Sequence, residues 1–282
     1  MKNSKNVVII AGGGKLPGLV FEQLSDAYIV GFEGMECSLT EHAKFHNFNQ
    51  LGVFFDDLNY RGICYVVMAG NMQRPLLDET KFDEYVKARS QSILSALEQG
   101  DDALLTYIVS LFLDESITPI GAHDVVSNLT LQAGVYSGSI NQVNLNNIKR
   151  AYLILEKTGS LDIGQSVVVE AGQALGIETL QGTNQMLANV RDTLRPLRVL
   201  GGGVLVKREK IKQDLRVDMP TIGPDTILQA HAAKLAAVVV SPHKVIVIDR
   251  DECFRLCKNF HCHLSSRSEE NESVFGCRRT FW

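Results

Sequence analysis

The stretch that most constrains this chain is Val7 to Ile10, an unbroken run of β-branched residues followed after Ala11 by Gly12, Gly13 and Gly14. As a strand it is apolar on both faces, so it needs cover on both sides, the condition of a parallel sheet inside an α/β fold. Residues 7–18, VVIIAGGGKLPG, run on into a helix-like pattern at Leu19, Val20, Phe21 and Leu24. A glycine loop between strand and helix brings backbone N–H groups close to phosphate or ribose. The spacing matches neither GxxxxGK[ST] nor GxGxxG, and a plain tight turn remains the competing reading.

The same alternation repeats downstream. A strand is predicted at Tyr28 to Phe32 and a buried one at Cys64 to Met68, with Gly70 and Asn71 at its end, where wound sheets bind ligands. Helical patterns follow at Phe82 to Leu97 and Ala103 to Leu113, the second with Asp101 and Asp102 as cap residues, and a strand at Ile117 to Ile120. Residues 136–147, YSGSINQVNLNN, are small and polar and read as a linker. Beyond them come a helical face from Ile148 to Leu155 and strands at Val167 to Glu170 and Gly176 to Leu180. A helix then runs to about Leu194, capped by Thr183 or Asn184. Further strands are predicted at Val204 to Lys207, Ala236 to Val240 and Val245 to Ile248, and a helix from an Asp249 cap to Cys257. The fold class predicted is α/β with two domains. Residues 1–135 form a Rossmann-like domain with a parallel sheet, and 148–258 a mixed α/β sheet domain. The polar, Cys- and His-bearing tail, 259–282, is expected to be poorly ordered.

Composition narrows the function classes. With 282 residues and 45% hydrophobic content, each domain can bury a core. A net charge of −4 without a dense basic run argues against nucleic acid as a partner. No apolar run approaches a membrane span, and VVII is too short for a signal-peptide core, so a cytoplasmic protein with reduced thiols is expected.

The densest chemistry lies between Lys207 and Thr226, KREKIKQDLRVDMPTIGPDT. Asp214, Arg216 and Asp218 alternate with Leu215 and Val217, so an extended backbone would project all three polar groups from one face. Pro220, Gly223 and Pro224 stop that strand and start a helix. Two carboxylates and a guanidinium beside a helix start suit an anion with a metal. Asp218 would bind a divalent ion or orient water, Asp214 would share the metal, and Arg216 or Lys207 would clamp a phosphate oxygen. A solvated strand face ending in a turn cap is the competing reading. Elsewhere, His42 and His46 are four residues apart without a third ligand, His123 and His231 read as packed or capping, and the tail cysteines fit no paired zinc spacing. No GxSxG occurs.

Five segments together resemble the UDP-2,3-diacylglucosamine pyrophosphatase family of the LpxI type: IIAGGGKLPG, GDDALL at Gly100 to Leu105, VVVEAGQALGIETLQGTNQML at Val167 to Leu187, GGGVLVK at Gly201 to Lys207, and QDLRVDMPTIGPDTI at Gln213 to Ile227. The resemblance spans most of residues 7–250. It implies a two-domain cytoplasmic hydrolase of lipid A synthesis in Gram-negative bacteria. The enzyme would split a lipid-linked nucleotide sugar into UMP and 2,3-diacylglucosamine 1-phosphate, with magnesium or another divalent metal. It would act peripherally to the inner membrane and as a homodimer. It also implies an essential aspartate in the last motif, Asp218 before Asp214. Substrate contacts are expected from Gly12, Gly13, Gly14, Lys15, Thr183, Lys207, Arg216 and Thr221. Two departures stand out. Gln181 and Asn184 replace acids where the family reads EGTD, and the chain turns polar after residue 258 where relatives close with an aliphatic strand. The first motivates a second reading, a nucleotide-sugar-binding protein with weakened catalysis. A third, an oxidoreductase using NAD(P), rests on the glycine loop alone.

Overall fold

The computed structural model describes residues 4–193, 198, 202–211 and 213–268, which fall into two compact units. One comprises residues 1–128 together with Asp214–Asp218, and the other the rest of the chain.

In the first unit β1 (Val7–Ala11), α1 (Leu16–Gln23), β2 (Tyr28–Phe32), β3 (Lys44–His46), α2 (Leu51–Tyr60), β4 (Tyr65–Ala69), α3 (Glu84–Gln99), α4 (Asp101–Asp114), β5 (Thr118–Pro119) and α5 (Ala122–Val125) follow one another. The sheet order is β3-β2-β1-β4-β5 and every pairing is parallel. All five residues of β1 are buried, as a central strand of a two-sided sheet requires. Chain order reverses between β1 and β4, so the glycine loop after β1 and Gly70 after β4 lie at the switch point of the sheet. The expected parallel, Rossmann-like N-terminal half is thus present.

A charge cluster ties β2, β3 and α2. Asp57 accepts the Tyr28 hydroxyl at 2.6 Å, with Lys44 Nζ at 3.1 Å, Arg61 Nε at 3.2 Å and His46 Nε2 at 3.3 Å. Burial opposes its charge, but Tyr28, Lys44 and Arg61 outweigh that and hold the carboxyl at about 2. A folded-state pKa below the unfolded one stabilises the fold above pH ~4, and that contribution fades as pH falls through about 2, amounting to ~2 kcal/mol at neutral pH. Urea unfolding of wild type and Asp57→Asn therefore differs fully at pH 7 and converges near pH 2. An equal gap at both pH values refutes this account. His46, one of the histidines four residues apart, is a member of this cluster, while His42 packs 5.0 Å from the Phe21 ring.

In the second unit the elements are β6 (Gly134–Ser137), α6 (Gln142–Gly159), β7 (Ser166–Glu170), β8 (Gln173–Ile177), α7 (Gly182–Asp192), β9 (Val204–Lys207), β10 (Thr221–Ile222), α8 (Pro224–Ala232), β11 (Ala237–Val240), β12 (Ile246–Val247), α9 (Arg250–Asn259) and β13 (His263–Ser266). Six strands form a mixed sheet in the order β6-β13-β11-β9-β7-β8, in which β9, β11 and β13 are mutually parallel, and β10 pairs with β12 apart from it. Val167, Val169, Val204, Val206, Ala237 and Val239 pack under Ile148, Ala151 and Leu155 of α6. The alternate residues Val168, Leu205, Val238, Val240 and Leu264 join α7, α8 and α9 on the other face. This is the period of two along each strand.

Several sequence expectations change here. Residues 136–147 are not a linker: they hold the end of β6 and the start of α6, where the Asn141 side chain accepts the Asn144 N–H at 2.8 Å. Small polar residues there serve as a helix cap. Helix α7 starts from Gln181 with no side-chain cap bond, so neither Thr183 nor Asn184 caps it, and Asp249 before α9 adopts φ 48° and also makes no cap bond. Residues 259–268 of the tail are ordered. Its HLSS segment is β13, buried between β6 and β11, so the closing strand expected to be missing is present. Backbone pairing on both sides and the small size of serine allow a polar sequence there. Residues 269–282, with Cys277, lie outside the described residues.

Candidate active site

The glycine loop belongs to the first unit. Gly12 donates its N–H to Ala69 O at 2.8 Å, and Gly13 and Asn71 exchange backbone bonds at 2.8 and 3.0 Å. A Cβ on Gly12 would lie 2.4 Å from Asn71 O, and one on Gly70 (φ 91°) 2.4 Å from Gly13 O, so the two loops touch only because both lack side chains. The amides of Gly12 and Gly13 are therefore engaged inside the fold. Gly14 and Lys15 are exposed, and they form the outward part of the loop. The Glu36 carboxylate lies against Gly13, an acceptor suited to ribose hydroxyls and one that the sequence reading missed.

Asp214, Arg216 and Asp218 form a turn and not a strand. The N–H groups of Val217 and Asp218 return to Asp214 O at 3.1 and 3.0 Å, and Asp214 Oδ1 accepts the Arg216 N–H at 3.1 Å. An aspartate that bonds the backbone two residues on closes a turn in competition with a strand, which is why the alternating pattern misled. The Arg216 guanidinium grips the same carboxylate, Nη2 to Oδ2 at 2.6 Å and Nε to Oδ1 at 2.9 Å. That bond, against a smaller cost of burial, holds the Asp214 carboxyl below its ordinary value.

Lys207 and Thr183 belong to the second unit, and here the sequence picked two residues that do meet. Lys207 ends β9 on the face of Leu205, its side chain only 8% exposed, and its Nζ donates to Thr183 Oγ1 at 2.7 Å in the first turn of α7. Behind them is a carboxylate that the sequence reading missed. Glu178, just past β8, accepts Thr183 Oγ1 at 2.8 Å, the Gln165 N–H at 3.3 Å and the Ser166 hydroxyl, with Lys207 Nζ at 3.6 Å. Burial works against its charge, but Lys207, Ser166, Thr183 and the Gln165 amide together hold its carboxyl below the usual range. The only sequence signal was an acid just before the QGTN turn.

Thr221, on β10, is exposed and donates its hydroxyl to Met219 O at 3.1 Å. Pro224 opens α8, as its position in the sequence suggested. His231 stacks on Phe260 with ring centroids 3.9 Å apart, and His123 lies beside Asp124. Cys253, Cys257 and Cys262 are buried within the second core. Among the described residues no group of three or more His, Cys, Asp or Glu is arranged to hold a metal, and no helix is long and apolar enough to cross a membrane.

Family comparison covers both units. Residues 6–129 match the LpxI N-terminal domain and 132–264 the LpxI C-terminal domain. The chain belongs to the LpxI family. It is similar to UDP-2,3-diacylglucosamine pyrophosphatase LpxI of Caulobacter vibrioides, 32% identical over 263 residues, covering 86% of this chain and 90% of that one. The boundary between the two LpxI domains falls beside the division between the units at Asn128 and Leu129. The match to the LpxI C-terminal domain extends into β13, in keeping with an ordered closing strand.

Proposed function

We propose that this chain hydrolyses the pyrophosphate bond of UDP-2,3-diacylglucosamine to UMP and 2,3-diacylglucosamine 1-phosphate in lipid A synthesis. Membership of the LpxI family over both domains, with a relative named for this activity, carries the reading. Lys207 supports it. Its buried ammonium stands at the C-terminal end of a strand parallel to its neighbour β11, where such sheets bind ligands, and it suits a phosphate oxygen. Lys15 and the exposed Gly14 would meet the nucleotide, and Thr183 and Thr221 would supply further polar contacts. Arg216 keeps the Asp214 carboxylate in place and offers remaining donors to the substrate.

Asp214 and Asp218 offer the donor chemistry of a magnesium site, one or two hard carboxylates, with the rest of the shell coming from substrate phosphates and water. Bound there, the ion would neutralise phosphoryl oxygens and lower the pKa of water. Asp218, just before MPTIG in the motif shared with the family, is the first choice for orienting the attacking water, and Asp214, which holds Arg216, is the second. Purified protein given the substrate and Mg2+ is expected to release UMP. No release with any divalent metal would overturn the activity. The same reading places the protein in the cytoplasm, as a homodimer with peripheral contact to the inner membrane through its acylated substrate. Light scattering and liposome flotation test these two points.

A second reading is favoured by one observation. Gln181 and Asn184, exposed on either side of Gly182 and Thr183, carry amides where the resemblance expects acids. A catalytically weakened nucleotide-sugar-binding protein would gain rate strongly in Gln181→Glu/Asn184→Asp, whereas high activity of the unaltered chain excludes it.

A further inference from the structure

Lys207 is held in an unusual way. Its ammonium carries three N–H donors, and among the described residues its hydrogen-bond partner is the hydroxyl of Thr183. The carboxylate that balances its charge, Glu178, is 3.6 Å away, beyond a hydrogen bond, and reaches it through Thr183, whose hydroxyl donates to Glu178 while accepting from Lys207. A direct ion pair would aim a donor of Lys207 at protein. The relay holds the cation by field and by one hydrogen bond, and leaves its other two N–H groups for an outside anion.

Glu178 is itself fixed from behind. Ser166 Oγ and the Gln165 N–H bond one carboxylate oxygen, and Thr183 bonds the other. Its backbone is pinned as well. Gly164, at φ 58°, packs so closely that a Cβ there would stand 2.0 Å from Glu178 O. Ser166 and Lys207 are buried and the Glu178 side chain is 12% exposed, so the contacts among them are stronger than they would be in water. The carboxylate acts behind Thr183, which stands between it and Lys207.

We infer that Glu178, backed by Ser166, is a positioning residue of the hydrolase, one that holds Thr183 and Lys207 so that the ammonium meets a phosphate oxygen of the substrate. This rests on the activity proposed above. The held group is a cation whose orientation matters most where charge develops, in the transition state, so its loss falls on kcat more than on KM.

The test is a double-mutant cycle of Glu178→Gln and Lys207→Met, read by UMP release and, in parallel, by calorimetric titration with UDP. Glu178→Gln is expected to lower kcat by about 10- to 100-fold with KM changed less than about threefold, and Ser166→Ala by about threefold. In the Lys207→Met background the same glutamate substitution should change kcat by less than about twofold, because the residue acts through the lysine. An equal fall in both backgrounds, or a Glu178→Gln kcat within about twofold of wild type, overturns the inference. If Glu178→Gln does not fold, Ser166→Ala read in both lysine backgrounds decides in its place. If wild type releases no UMP, the activity is refuted and the inference is judged on UDP. It then stands if Glu178→Gln weakens UDP binding only where Lys207 is present, and falls otherwise.

Discussion

Asp218→Ala is expected to lower kcat for UMP release by about a thousandfold or more, the scale of losing a charged group that acts on the transition state. Thermal stability should move by less than about 5 °C. The backbone explains why the two readouts separate. The turn is closed by the Val217 and Asp218 N–H groups on Asp214 O and by the Asp214 side chain on Arg216, and alanine at 218 preserves all of these bonds. Asp214→Ala, by contrast, releases Arg216 and one bond of the turn, so it should reduce both activity and local order. Amide hydrogen exchange at 215–218 distinguishes them, rising in Asp214→Ala and not in Asp218→Ala. Full activity in Asp218→Ala would remove that residue from the site.

Arg198→Met should strongly destabilise the second unit. Its guanidinium, 7% exposed, bonds Glu170 Oε2 through Nη2 at 2.6 Å and Nε at 3.0 Å, and Ala233 O through Nη1 at 2.6 Å. It links the end of β7 to the residue after α8. Removing the cation from a carboxylate that is 3% exposed costs about 3–5 kcal/mol, whereas replacing both partners by apolar residues is far milder. For a chain of 282 residues that corresponds to a fall in Tm of roughly 5–10 °C for the single variant. Glu170→Met/Arg198→Met should recover most of it. A single variant within ~2 °C of wild type would show that the pair does not bear on stability.

The fold was legible wherever a local pattern had one physical solution. Tyr28–Phe32 and Val204–Lys207 appear as strands within the bounds read from sequence, and continuous apolar runs marked β1, β4, β7 and β11 because strands covered on both faces need them. Pattern failed where partners decided the outcome. Asp214 to Asp218 alternates like a strand, but a side chain of its own captures the backbone. HLSS reads as solvent-loving, and becomes an interior strand because β6 and β11 supply its hydrogen bonds from either side. The candidate site divides in the same way. Lys207 and Thr183 were recognisable in their motifs, and they meet. Glu178 and Ser166 were not, since neither a lone acid after a strand nor a serine at the start of one announces a burial partner. The glycine loop was read as bringing its amides to phosphate or ribose, and in the fold those of Gly12 and Gly13 bond the loop after β4 instead.

The place of β13 bears on how the second unit is made. Among the described residues β6 pairs in its sheet with β13 alone, and β13 leaves the ribosome only after β7, β8, β9 and β11. While the chain is being synthesised, β6 must therefore wait as an unpaired strand, and β11 shows an open edge from its own emergence until His263 to Ser266 arrive. Open edges recruit other chains. The polar character of β13 and the glycine, tyrosine and serine of β6 keep the two latecomers weakly adhesive during that interval, so a more apolar β13 would trade a stickier nascent chain for a tighter finished sheet.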